Sequence, residues 1–213
     1  MPRVILALAT EADDRFGIWD RLKLIQPEMF AAGPVEIKFA YFGREGALQT
    51  TRPYLATRWA TTAGDMDDLM DQGRAGCVCG CFVQVGDVLE QALRETRQAP
   101  VEAVVVVGDR FHGDLEIAAG IARQLRAAGT RLFLLQQGVH PEPAFKALAD
   151  ASGGAHLVFN PHVERIAKRL PMTLEAITHF AVGGVDALAA CDNEMAGLLF
   201  EQVTKQITKQ SKG

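Results

Sequence analysis

The sequence predicts an α/β fold: a doubly wound, mostly parallel sheet of about six strands, one of them an antiparallel edge strand, covered by helices on both faces. Three observations carry this reading. Residues 101–107 are dominated by valine, as in a strand buried on both faces in the middle of a parallel sheet. Short β-type runs alternate with segments of helical periodicity, the pattern that right-handed crossovers between parallel strands produce. After residue 160 the pattern becomes helical only, which is more helix than the sheet requires.

Residues 3–10 open the chain with a β-type run. Its Ala7-Leu8-Ala9 triplet is like a signal-peptidase site, but the apolar stretch is short, has one basic residue before it and leads into Glu11, Asp13 and Asp14, so a buried strand is predicted. Residues 16–30 have helical spacing until Gly33-Pro34 breaks it. Residues 35–42 alternate Val35, Ile37, Phe39 and Tyr41 as a second strand, and residues 52–61, with Tyr54 and Trp59 among polar residues, read as an edge strand.

A short acidic helix follows over 65–72, stopped by Gly73, and then a helix over 85–97 with the stripe Val85, Val88, Leu89, Ala92 and Leu93. After the valine strand, Asp114 is placed to cap a helix reaching Ala128, with Leu115, Ile117, Ala118, Ile121, Ala122 and Leu125 inward and Gly129 as its stop. Residues 132–136, 142–151 and 155–159 read as strand, helix and strand. The tail reads as helices over 161–170, 173–191 and 193–207, with a frayed end. This divides the chain into an α/β domain, 1–160, and a helical extension, 161–213. The extension carries Phe180, Leu188, Met195, Leu199 and Val203, an apolar load for packing across the sheet's open edge or against a second subunit in a homodimer.

Composition excludes several classes. A formal net charge of −4 and a pI near 5.7 argue against phosphate-backbone binding, so no nucleic-acid partner is expected. No window approaches bilayer length, which predicts a soluble chain with no membrane partner. The four cysteines do not form the dispersed framework of a secreted disulfide scaffold, and a reducing cytoplasm is expected. No Gly-x-Ser-x-Gly elbow, P-loop or His-Glu-x-x-His occurs.

Cys77, Cys79 and Cys81 stand at alternate positions, so an extended backbone lines up their thiols on one side. Three readings stay open: buried packing of small apolar residues, thiol redox chemistry, and soft-metal binding such as zinc. The metal reading requires the backbone to curl at Gly76 and Gly80 and a fourth ligand from Asp109, His112 or Cys191. Asp109-Arg110-Phe111-His112-Gly113-Asp114, after the valine strand, is the other polar cluster; Asp109 and His112 there are a candidate acid/base or ligand pair.

Three segments carry a family resemblance. Val83-Gln84-Val85-Gly86-Asp87-Val88-Leu89 resembles a Thr-Asn-Ile-Gly-x-Ala-Leu turn into a third helix, Val104-Val105-Val106-Val107-Gly108-Asp109 resembles a strand ending in Thr-Asp-Gly, and residues 145–155 resemble the stretch before a last strand. Their order over residues 3–160 is similar to that of a von Willebrand factor type A (VWA) domain. The resemblance implies a protein-interaction module that binds another protein through loops at the carboxyl ends of the strands. It also implies a divalent-metal adhesion site, here degenerate. Thr10, Glu11 and Asp13 stand where the family has Asp-x-Ser-x-Ser, Val83 stands in place of its threonine, and only Asp109 matches its aspartate. No cofactor is therefore expected beyond a residual Mg or Zn, and the binding loops are predicted from Thr10, Glu11, Asp13, Val83, Asp109, Arg110 and His112, with Phe16, Trp19, Phe111 and His140 as candidate exposed anchors. A non-catalytic module is the first reading; a metal or redox protein using Cys77, Cys79 and Cys81 is the alternative, and a hydrolase built on Asp109 and His112 is a third.

Overall fold

Apolar side chains alternate along the central strands and build two cores, one on each face of a sheet. The computed structural model describes residues 1–8, 27, 29–45, 50–55, 58–76, 85–160 and 166–210. Strands β1 (Arg3–Leu8), β2 (Glu36–Glu45), β3 (Thr50–Leu55), β4 (Ala103–Gly108), β5 (Arg131–Gln137) and β6 (Ala155–Phe159) lie in the order β3-β2-β1-β4-β5-β6. Every neighbouring pair is parallel except β2 with β3, so the predicted antiparallel edge strand is present.

The register explains the two cores. Val4, Leu6 and Leu8 of β1 fall on one face with Val105, Val107, Phe133 and Leu135; Ile5 and Ala7 fall on the other with Val104, Val106, Leu132 and Leu134. Helix α1 (Ala63–Gly76) and the C-terminal helices α5 (Ile166–Ala190) and α6 (Glu194–Gln210) cover the first face. Helices α2 (Val85–Gln98), α3 (Leu115–Ala127) and α4 (Pro143–Ser152) cover the second. The valine strand sits in the middle with all six of its residues buried, because both of its faces meet helices.

The structure shifts several expected elements. The edge strand ends at Leu55 rather than near residue 61. Trp59 owes its place in the alternation to something else: its ring lies under the Arg3 guanidinium at 4.9 Å and the Lys38 ammonium at 5.1 Å. Helix α1 continues through Gly73 to Gly76, since an interior glycine weakens a helix by about 1 kcal/mol without ending it. Buried Met66, Leu69 and Met70 hold it on the sheet. Its start is a reciprocal cap, in which Thr62 Oγ1 accepts from the Asp65 N–H at 3.1 Å and Asp65 Oδ2 accepts from the Thr62 N–H at 3.2 Å.

Leu115 and Ile117 point outward instead of inward, at 37% and 61% exposure. The inward stripe of α3 starts with Ala118 and continues through Ile121, Ala122 and Leu125, at the spacing of one helix face. In the tail, Pro171 does not divide two helices. Helix α5 runs through it and breaks at Gly183-Gly184, where Gly184 has φ +68° and ψ −152°, a conformation that costs glycine little. Helix α6 extends to Gln210, past the expected end at residue 207. Of the helix expected over 16–30, only its C-terminal end is within the described residues.

Among the described residues no single helix is long and apolar enough to cross a membrane. Residues 168–190 and 194–208 reach that threshold only together, across a 106° bend. Their apolar residues Leu174, Ile177, Leu188, Met195, Leu199 and Val203 are in the first-face core.

Candidate functional site

The strand order reverses between β1 and β4. In an open doubly wound sheet such a switch point leaves a crevice beyond the carboxyl ends of the strands, because the two flanking connections depart in opposite directions. Leu8 is the register partner of Val107, so the chain leaving β1 and the chain leaving β4 emerge side by side. Helix α2 brings a third segment to this edge. Its later residues lie at the opposite, amino edge: Glu95 binds Lys38 near the start of β2 at 2.7 Å, and Thr96 reaches Thr130 just before β5 at 3.5 Å. Its first residue, Val85, therefore lies toward the carboxyl edge.

Of the predicted site residues, Asp109, Arg110 and His112 are on the described loop from β4 to α3. Thr10, Glu11, Asp13, Val83, Cys77, Cys79 and Cys81 lie outside the described residues, and so do Phe16 and Trp19. Asp109 and Arg110 are exposed and form an ion pair at 3.9 Å, a contact that solvent reduces to a small contribution. His112 is half-buried. Phe111 is not a free anchor, since it packs against the second-face core, whereas the His140 side chain is exposed. Asp114 caps α3 as predicted, its Oδ1 accepting from the N–H groups of Glu116 at 2.8 Å and Ile117 at 3.1 Å.

A hard divalent cation takes several oxygen ligands in near-octahedral array. Among the described residues these loops supply one carboxylate not committed to a cap, Asp109, and a guanidinium stands beside it. The described residues do not assemble a site for such an ion.

The neighbouring β5–α4 loop is organised by a residue whose role the sequence did not signal. Gln136, 3% exposed, donates through Nε2 to the His140 carbonyl at 2.8 Å. Its Oε1 accepts from the Glu142 N–H at 2.7 Å and meets His156 Nε2 at 2.9 Å. An amide oxygen can only accept, so His156 Nε2 carries a proton. Burial first, and Lys146 second, lower the pKa of His156 below 6.5, against Glu142 and Asp150. The ring also meets Phe145 edge-on, with centroids 6.0 Å apart.

His156 belongs to β6, which is the last strand of the sheet among the described residues, so its outward backbone groups face away from β5. The Gln202 side chain on α6 pairs with them: the His156 N–H donates to its Oε1 at 3.0 Å, and its Nε2 donates to the His156 carbonyl at 3.0 Å. Beside it lies a cavity of about 360 Å³ lined by Lys146, Asp150, His156, Gln202, Lys205 and Gln206. Lys146 pairs with Asp150 at 2.8 Å, and Gln206 donates to the same carboxylate. These groups satisfy one another, so the arrangement closes the sheet edge and offers no nucleophile beside a base. Neither Gln136 nor Gln202 was identifiable beforehand, because each acts on a backbone group brought near only by folding.

No protein-family model matches the chain, and no curated protein matches it. Solved structures do match its fold. The human COPII-coat protein Sec24c aligns with a TM-score of 0.64 at 10% identity, over 83% of this chain and 32% of that one. The von Willebrand factor type A structure from Catenulispora acidiphila aligns with a TM-score of 0.60 at 14% identity, over 85% and 42%. The VWA domain of SpRpn10 gives a TM-score of 0.60 at 10% identity, over 79% and 93%. The chain thus spans about a third of the first and under half of the second, but nearly all of the third. At these identities the likeness is one of fold: the chain has a VWA-like α/β fold that includes C-terminal helices.

Proposed function

We propose that the chain is a non-catalytic protein-interaction module that binds a partner protein through the carboxyl-edge loops following β4 and β5, without requiring a divalent ion. One observation carries this reading. Leu115, Ile117 and Val139 are exposed at 37%, 61% and 55%, and all three lie in or just after those two loops. The loops leave neighbouring strands, with Gly108 in register with Gln136. Exposed aliphatic side chains on loops that also carry exposed Asp109 and Arg110 fit the mixture of apolar and charged groups found in a recognition surface. Backbone ties from Gln136 hold the second loop in place, which lowers the ordering cost of binding. Direct apolar contact takes over the role that a shared metal has in the family's usual site, and the low charge and cysteine usage fit a partner in the cytoplasm.

Photo-crosslinking in the native host tests this. A crosslinker placed at Arg110 is expected to capture one discrete protein, whereas one at exposed Arg94 on α2 is not. The adduct is expected to persist in chelator and to disappear when Ile117→Glu and Val139→Glu are combined. An adduct that survives this double change, or one captured equally from Arg94, would overturn the reading.

A further inference from the structure

The C-terminal helices bring together three side chains that neither the sheet nor the proposed interface uses. Glu175 and His179 are one turn apart on α5, so they share a helix face. The break at Gly184 turns the chain back, and Cys191 follows the last turn of the helix with its N–H donating to the Leu188 carbonyl at 3.3 Å. The ligand atoms of Glu175, His179 and Cys191 lie within 4.8 Å of one another, and all three residues are half-buried. We infer that Glu175, His179 and Cys191 form a zinc site that ties α5 to the turn leading into α6.

The donor set selects the ion. A thiolate, an imidazole and a carboxylate are the ligands of zinc, whereas magnesium and calcium take oxygen donors. Tetrahedral zinc, with bonds of about 2.0–2.3 Å, places neighbouring ligand atoms roughly 3.5 Å apart, which small side-chain rotations reach from this arrangement. Three protein ligands leave a fourth position for water.

The surroundings also fit a cation. Asn193 Nδ2 faces Glu175 Oε2 at 3.1 Å, Cys191 Sγ at 3.3 Å and the Met172 carbonyl at 3.2 Å, three acceptors for an amide with two hydrogens. Its Oδ1 is fixed by the Ala196 N–H at 2.8 Å, so the amide holds the carboxylate and the sulfur toward each other as an outer-shell partner does. Burial, then Glu175 and Asp192, raise the thiol's pKa from 9.0. An ion among these groups reverses that balance: the thiol proton goes to solvent as the sulfur–zinc bond forms, and no electrons are transferred.

The test uses the full chain and zinc alone, with alkylation by iodoacetamide mapped residue by residue so that Cys191 is read separately from Cys77, Cys79 and Cys81. Zinc is expected to slow Cys191 alkylation more than tenfold, and to raise Tm by roughly 5–10 °C at a hundred times its Kd. In Cys77→Ser/Cys79→Ser/Cys81→Ser protein, one equivalent of cobalt(II) is expected to give tetrahedral visible bands with thiolate charge transfer, displaced by zinc. Glu175→Gln and His179→Gln, both at half-buried positions, are each expected to weaken binding at least tenfold, and Cys191→Ser to abolish the charge-transfer band. A Cys191 alkylation rate unchanged by zinc, or a cobalt spectrum unaffected by these substitutions, would refute the site.

Discussion

The carboxyl-edge loops and the β6 edge are both places where the sheet ends, yet they treat their polar groups in opposite ways. Beyond β4, Asp109 and Arg110 project into solvent, and Ile117 in the first turn of α3 is uncovered. Along β6, the backbone of His156 is paired by Gln202, its ring by Gln136, and the neighbouring Asp150 by Lys146 and Gln206. An edge strand left bare is a template for unwanted strand pairing, so its groups are occupied from within the chain. A binding surface has to keep its groups available. The difference separates the end of the sheet that serves stability from the end that serves recognition under the proposed function.

The comparison can be broken most forcefully at the contact joining the helical tail to the sheet. Phe133 on β5 is fully buried and meets Phe180 on α5 edge-on, with centroids 5.4 Å apart. Phe133→Ala is expected to cost about 3–5 kcal/mol in a denaturant melt, through lost burial and the cavity left behind. Gln202→Ala is expected to cost about 2 kcal/mol in the same measurement, because two half-buried backbone groups lose their partner and the adjoining cavity admits water to soften the loss. A cost near zero would show that the β6 edge needs no pairing.

A pH series probes the same edge more gently. The folded chain disfavours protonated His156, since burial and Lys146 lower its pKa below 6.5, so the unfolded chain binds that proton more readily. This contribution to stability is full above the unfolded value of about 6.5 and is lost as pH falls through it toward the folded pKa. Tm is therefore expected to drop between pH 7.5 and 5.5, with a shallower drop in His156→Gln. Equal slopes would remove His156 from the explanation. The smallest stability effect is expected at the recognition edge: Ile117→Glu with Val139→Glu should change stability by no more than about 0.5 kcal/mol while eliminating partner capture.

How much was legible in advance follows from how local each signal is. The valine strand, the Asp114 cap and the 155–159 strand depend on a few consecutive residues, and they appear where their composition places them. Leu115 and Ile117 face outward rather than inward: a helix stripe has more than one phase until its neighbours are known. Pro171 is the louder local signal, yet the helix continues through it and breaks instead at Gly183-Gly184. The candidate loop was legible from the valine strand ending at Gly108-Asp109; the apolar exposure beside it was not.

The sequence by itself determined the α/β class, the alternation of strands and helices, and the place of the loop at the end of β4, since periodicity and capping act within a few residues. Only the tertiary structure decided that the helical tail covers the first face of its own sheet, that Gln202 closes the β6 edge, and that Glu175 and His179 meet Cys191. Each of these joins residues separated along the chain by a turn or by tens of positions, and no local pattern encodes a distance of that kind.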